Sequence, residues 1–143
     1  MMKLSTKGRY GVSAIYDIAA HCDKGPVSLR SVAERQGISD HYLEQLMGHL
    51  RRAGLVKSVR GAQGGYILAK DPKEITVGDV ICIMEGPIAP VGCLLSKKKD
   101  DKNYCPKSPT CVTRNVWARV GESISKVLDS ITIAELCQGN KDE

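Results

Sequence analysis

The stretch that most restricts the fold is residues 28–68, SLRSVAERQGISDHYLEQLMGHLRRAGLVKSVRGAQGGYIL. Its spacing predicts two short helices, a turn between them, and a two-stranded hairpin. Ser28 is placed to cap the first helix, because its hydroxyl accepts one of the amide protons left unpaired at a helix start. Leu29, Val32 and Ala33 then fall at i, i+3 and i+4, which gives one apolar face. Gly37 permits the turn, since it has no Cβ to clash there. Ser39 caps the second helix, and Leu43, Leu46, Met47 and Leu50 form its buried stripe. That stripe leaves His41, Tyr42, Glu44, Gln45, His49 and Arg52 on or near the open side. Gly54 closes the helix, as glycine does beyond a C-terminus. Leu55, Val56 and Val59 predict one strand, and Tyr66, Ile67 and Leu68 the second.

Helix, turn and helix with a polar, cationic outer face is the pattern of a recognition helix in a DNA major groove. Between the strands lies RGAQGG, residues 60–65, whose three glycines let the backbone turn sharply and approach a phosphate or groove floor. Arg60 has no acidic neighbour in sequence and suits a narrow, negative minor groove. Each part alone also occurs without DNA: helix pairs meet at glycines in many all-α cores, and glycine-rich hairpins are widespread. Helix pair and wing together point to nucleic acid. Charge agrees. Residues 1–70 hold 11 Lys and Arg against 5 Asp and Glu, whereas residues 71–143 hold 10 against 11. The basic surplus sits with the DNA-reading half.

A chain of 143 residues suits one domain, or one domain with a dimerisation arm. Phe is absent, so the core must be aliphatic, with Trp117 and five tyrosines as the only large rings. No apolar run reaches the ~18 residues of a membrane span. Lys7 and Arg9 interrupt any signal-peptide core. The expectation is a cytoplasmic protein without a membrane partner. Its six cysteines would then stay reduced and build no disulfide framework.

The rest of the chain divides around residues 28–68. Residues 6–22 predict a first helix, capped by Thr6, with Gly11, Ile15, Ile18, Ala19 and Cys22 on one face. Cys22 reads as core and His21 as a solvated helix end, before Gly25-Pro26 stops the helix. Thr76 and Asp79 form a capping box for a helix with Val77, Val80, Ile81 and Met84 inward and Cys82 structural at its flank. Gly86-Pro87 ends it. Residues 86–110 have four prolines and no period, and such long loops are usually functional or disordered. Val112, Val116, Val120, Ile124, Val127 and Leu128 recur at helical spacing over 112–128. This stripe would be buried against the same helix of a second subunit, or by folding back on the N-terminal helices. Thr132 and Glu135 cap a final short helix at Ile133–Cys137, and Gln138 onward reads as frayed. The division is therefore a DNA-binding domain over 1–85, a cysteine-bearing loop over 86–111 and a dimerisation helix with a short terminal helix over 112–143.

Cys93, Cys105 and Cys111 follow the spacing C-x11-C-x5-C. They border a loop rich in lysine: Lys97, Lys98, Lys99, Lys102 and Lys107. Nearby cations favour thiolate, the form that binds metal. Thiolates are the usual ligands of iron–sulfur clusters. Zinc more often takes paired CxxC units, and none occurs here. The plain alternative is three thiols in a loop with no ligand. No nucleotide fingerprint, catalytic triad or CxxC pair supports an enzyme, although a small redox protein remains the option outside gene regulation.

SDHYLEQL at 39–46, GLVKSVRGAQGGYIL at 54–68 and MKLSTKGRYGVSAIYDIA at 2–19 resemble the iron–sulfur- and cysteine-responsive winged-helix repressors, the IscR/NsrR/CymR family. The resemblance is close over residues 2–85 and loose over 111–137. It implies a mainly α fold, a winged helix-turn-helix with a two-stranded β wing and a long C-terminal dimerisation helix. It implies a homodimer on a double-stranded DNA operator, with Ser39, Tyr42, Glu44 and Gln45 reading bases and Arg60 and Gly61 on the wing. Glu44 stands where the iron–sulfur biogenesis branch discriminates between two operator classes. Cys93, Cys105 and Cys111 match the family's cluster ligands, with [2Fe–2S] favoured and [4Fe–4S] the alternative. The first gap is longer than the family's. Arg114 stands where the biogenesis branch has a histidine ligand, and Gly8 where the nitric-oxide branch has a carboxylate. The fourth ligand is unassigned, with Asp100, Asp101, a partner-subunit group or an exogenous thiol as options. The implied function is control of iron–sulfur biogenesis. The alternatives are a cluster-free repressor of cysteine and sulfur metabolism, and a nitric-oxide- or redox-sensing repressor.

Overall fold

The computed structural model describes residues 4–95, 100, 102 and 104–141. These form helices α1 (Thr6–His21), α2 (Leu29–Gln36) and α3 (Asp40–Arg52), strands β1 (Val56–Val59) and β2 (Gly65–Leu68), and helices α4 (Val77–Glu85), α5 (Arg114–Ser130) and α6 (Ile133–Lys141). Mainly helical, with one antiparallel hairpin, this is the winged helix-turn-helix expected.

Local chemistry accounts for most of the boundaries. Ser28 and Ser39 cap α2 and α3 by accepting from the amides of Ser31 and Tyr42, at 3.2 Å each. Between these helices Gly37 takes φ 66°, a left-handed conformation in which a Cβ would be strained. At the end of α3, Gly54 N–H donates to Arg51 O and Leu55 N–H to Leu50 O, both at 3.0 Å. That pair of bonds is the Schellman arrangement, which satisfies two orphan carbonyls. The Thr76–Asp79 capping box forms with both of its bonds.

Some expectations need correction. The cap of α1 is Ser5, not Thr6: Ser5 is extended and its Oγ accepts from Gly8 N–H, whereas Thr6 is already helical. Cys82, read as structural, is exposed on α4. Val112 lies in a turn and is 85% exposed, so α5 starts two residues beyond the start of the apolar period. Residues from Gln138 do not fray at once, because α6 continues to Lys141. Within residues 86–110, short 3-10 turns occur at Gly92–Leu94 and Ser108–Thr110.

The core lies where α1, α2, α3, α4 and α6 meet the base of the hairpin. Leu43, Leu46, Met47 and Leu50 are each 1% exposed or less. Buried apolar side chains here are aliphatic or methionine, while Tyr10, Tyr42 and Tyr66 pack at the edge. Ile133 brings α6 into the same core. Backbone bonds from Val77 N–H to Ile131 O and from Ile133 N–H to Ile75 O, both 2.8 Å, tie the α5–α6 junction to the start of α4.

The hairpin pairs Val56 with Leu68 through to Val59 with Gly65. Val27 joins it by a two-way bridge, its N–H donating to Tyr66 O at 2.9 Å and its carbonyl accepting from Tyr66 N–H at 2.8 Å. Gly65 lies so close to Val27 that a Cβ would collide with the Val27 carbonyl. The wing is thereby anchored directly to the segment that starts α2.

Candidate nucleic-acid interface and thiol segment

The inward stripe of α3 fixes which of its residues face out. His41, Glu44, Gln45, Arg51 and Arg52 are exposed, and His49 is half-buried. Ser39 stands at the helix start as its cap. Tyr42 is half-buried, its ring edge-to-face with Tyr10 at 6.0 Å between centroids. Gln45 Nε2 lies 3.3 Å from His41 Nε2, and Arg52 Nη2 lies 3.2 Å from His49 Nδ1. The His49 imidazole is held below its ordinary pKa, first by burial and then by the charges of Lys7 and Arg52. Arg60 and Gly61 are exposed on the loop joining β1 and β2, where Gly61 takes φ 114°. A cleft of about 470 Å³ separates this loop from the start of α2, lined by His21, Lys24, Ser28, Ser31, Arg35 and Gln63 among others.

Helix α2 is locked to α1 by a buried carboxylate that sequence reasoning missed. Asp17 of α1 is 1% exposed. Arg35 donates to it through Nε at 2.9 Å and Nη2 at 2.6 Å, and Gln36 donates through Nε2 at 2.9 Å. The Arg35 guanidinium is raised above its usual pKa, chiefly by this hydrogen bond. His21 Nδ1 approaches the Asp17 carbonyl at 2.8 Å and its carboxylate at 3.6 Å, so His21 is not merely solvated. One signal for the network was in the sequence. Asp17 falls on the helical face of Ala14 and Ile18, and an acid among buried apolar residues needs a partner.

A chain with a capped recognition helix, a glycine-rich wing and a first helix locked to the second has the parts of a DNA reader. Comparison with known proteins decides the family. Residues 4–139 match the Rrf2 family model, described as an iron-dependent transcriptional regulator. The chain belongs to the Rrf2 family. Among its relatives, the HTH-type transcriptional regulator CymR of Bacillus subtilis (strain 168) is 44% identical over 135 residues, 94% of this chain and 89% of that protein. The HTH-type transcriptional regulator IscR of Serratia proteamaculans (strain 568) is 46% identical over 135 residues, 94% of this chain and 79% of that one. The solved structure of T. potens IscR superposes with a TM-score of 0.78 at 51% identity, covering 97% of this chain and 88% of that chain. These relatives are named as transcriptional regulators, which bears out the reading against an enzyme.

In this Rrf2 chain the described residues of the thiol segment include two short turns, Gly92–Leu94 and Ser108–Thr110. Cys93, Cys105 and Cys111 are free and half-buried. Cys93 lies in the turn Gly92–Leu94, and Cys111 follows the turn Ser108–Thr110. Cys111 Sγ is 3.3 Å from Thr113 Oγ1. Its thiol is pulled below the usual pKa, first by the Thr113 hydroxyl, then by the Arg114 backbone N–H, with a smaller pull from Lys107. Among the described residues, no group of three or more His, Cys, Asp or Glu side chains is gathered as a metal site. Lys97, Lys98, Lys99 and Asp101 lie outside the described residues, while Asp100, Lys102 and Lys107 are exposed. Among the described residues, no helix is long and apolar enough to cross a membrane.

The face of α5 divides in two. Ile124 and Leu128 line a groove with Leu4, Ile88 and Pro90. Val116 is 50%, Trp117 41% and Val127 59% exposed. Folding back on α4 therefore covers only part of the stripe.

Proposed function

We propose that this Rrf2 regulator works as a homodimer whose choice of DNA operator is set by an iron–sulfur group on Cys93, Cys105 and Cys111. Each protomer lays the outer face of α3 in a major groove. There Gln45 pairs with an adenine edge, Glu44 accepts from cytosine or repels phosphate, and Ser39 and Tyr42 frame the contact. Arg60 and Gly61 carry the wing to the adjacent minor groove. The exposed valines and Trp117 of α5 meet the same helix of a second copy, and two-fold symmetry then expects half-sites ~34 Å apart or a multiple.

The observation that carries the cluster reading is the donor chemistry of the thiol segment. Three reduced, half-buried thiols lie within one segment, and the last lies 3.3 Å from the Thr113 hydroxyl just before α5. Soft thiolates of this kind fit an iron–sulfur group, [2Fe–2S] before [4Fe–4S]. Such a group, when bound, supplies a charge that responds to iron, oxygen or sulfur chemistry. Cys111 adjoins α5, so ligation there bears on how the two reading heads are held. Control of iron–sulfur biogenesis is the role this arrangement suits, in line with the IscR relatives.

The test is anaerobic purification with iron and sulfide analysis, followed by binding to a panel of operators at matched salt. Cys93→Ala, Cys105→Ala and Cys111→Ala should each lose iron and bind fewer operators, and adding Glu44→Ala should restore the lost set. Equal binding by all variants and the loaded protein would remove the cluster as the switch. The 44% identity to CymR supports a second reading, a cluster-free repressor of cysteine and sulfur metabolism. A colourless, iron-free protein with full operator selectivity would favour it.

A further inference from the structure

We infer that His41 sets which edge of the Gln45 amide faces DNA, so that α3 selects adenine over guanine at the pair Gln45 reads. This deepens the reading above and rests on it, since it needs α3 in a major groove with Gln45 at a base edge. The observation is one contact on the outer face of α3. Gln45 Nε2 lies 3.3 Å from His41 Nε2, and both residues are exposed. Residues four apart on a helix are surface neighbours. His41 belongs to the first turn of α3, the end of a recognition helix that reaches base edges.

Donor and acceptor chemistry fixes the direction of this bond. A carboxamide nitrogen only donates. The imidazole nitrogen facing it must therefore accept, which requires the neutral ring with its proton on Nδ1. The bond uses one of the two N–H groups on Gln45. The other N–H and the carbonyl oxygen remain, side by side. That pair matches adenine, whose major-groove edge offers N7 as acceptor and the N6 amine as donor.

The reversed amide would give a different reading. With Oε1 turned to the ring, Gln45 would present only N–H donors outward. Those match guanine, whose N7 and O6 both accept. A glutamine without a neighbour turns its amide either way to suit the base. The acceptor on His41 removes that freedom. His41 itself need touch no base: it is a positioning residue that acts through Gln45.

The probe is a duplex that the full-length wild-type protein selects from a randomised library, together with its single-pair variants. The pair read by Gln45 is the one whose base preference Gln45→Ala abolishes. At that pair His41→Ala should lower the adenine-to-guanine affinity ratio about threefold to tenfold, the weight of one hydrogen bond. Ratios at the other pairs should stay. His41→Glu, which only accepts, should keep the ratio although overall affinity falls. His41→Lys, which only donates, should move it towards guanine. In a Gln45→Ala background none of the three should change it further. An unchanged ratio in His41→Ala overturns the inference, as do equal shifts in the Glu and Lys variants. An effect of His41→Ala that persists without Gln45 also overturns it, because His41 would then read the pair itself. In each of these cases the DNA reading stands. A wild-type protein that selects no duplex, or a Gln45→Ala protein with every preference intact, takes down that reading and the inference with it.

Discussion

The reading head, residues 4–68, and the segment from the thiols through α5 solve the same problem in opposite ways. In the head, nearly every demand made by one group is met by another close at hand. Serines cap helices, the α3 stripe is buried, and the Asp17 carboxylate receives both Arg35 and Gln36. The thiol segment and α5 leave demands open: valines and a tryptophan face water, three thiols have no disulfide, and Arg114 Nε has no acceptor among the described residues. The head is complete as one chain. On the proposed reading, the other region is finished by a second copy and a ligand.

The contrast breaks most easily on apolar truncation. Leu50→Ala in α3 removes a fully buried side chain and should cost about 2–5 kcal/mol of stability in urea unfolding. Val116→Asp on α5 touches a side chain that is half exposed, so it should barely change the stability of an isolated protomer. Instead it should move the sedimentation coefficient from dimer to monomer. A Val116→Asp protein that stays dimeric would mean that α5 is covered by something other than a second copy.

Charge offers the next test. Removing Asp17 strips acceptors from Arg35 and Gln36, and Asp17→Ala should cost about 1.5–3 kcal/mol, the range for hydrogen bonds to charged groups. Arg35 is 37% exposed, so water takes over part of its solvation and the full penalty of a buried lone charge is not expected. The Arg30–Glu34 pair at 3.4 Å is the control, with both side chains at least 70% exposed. Glu34→Ala should change stability by no more than ~0.5 kcal/mol. Equal losses for the two variants would show that the buried network does not lock α1 to α2.

What was legible in the chain follows the same division. The helix pair and wing are built from patterns within a few residues, such as Ser39 capping Tyr42 or Gly37 between two stripes, and local patterns survive in sequence. The Asp17–Arg35 contact spans 18 positions and the Val27–Tyr66 bridge spans more. No period announces either. In α5 the apolar repeat ran on to Val112, yet the turn before Arg114 starts the helix later. The thiol ligands were proposed from spacing and resemblance, and residues 86–111 have no period that would specify how the three thiols converge.

On the DNA side, Arg60→Ala should weaken operator binding by ~1–3 kcal/mol and reduce the preference for A·T pairs beside the half-site. Arg60 is exposed, so unfolding curves should not move. That outcome would separate a surface used for binding from the buried residues that build it. Unchanged affinity at matched salt would take the wing out of the interface.

The smallest effect is one of pH, and it too belongs to the reading head. His49 has its pKa depressed below the ordinary 6.5, first by burial and then by Lys7 and Arg52. Its Nδ1 accepts from Arg52 Nη2 at 3.2 Å, which requires the neutral ring with its proton on Nε2. Folded protein therefore binds fewer protons at His49 than unfolded protein does between the two pKa values. The linked stability is fully present above the unfolded value and is lost as pH falls through the depressed folded one. Unfolding curves should thus weaken gently from just above pH 6.5 downward, and His49→Gln should flatten that part of the profile because glutamine does not titrate there. A slope that survives in His49→Gln would assign the acid sensitivity to another group.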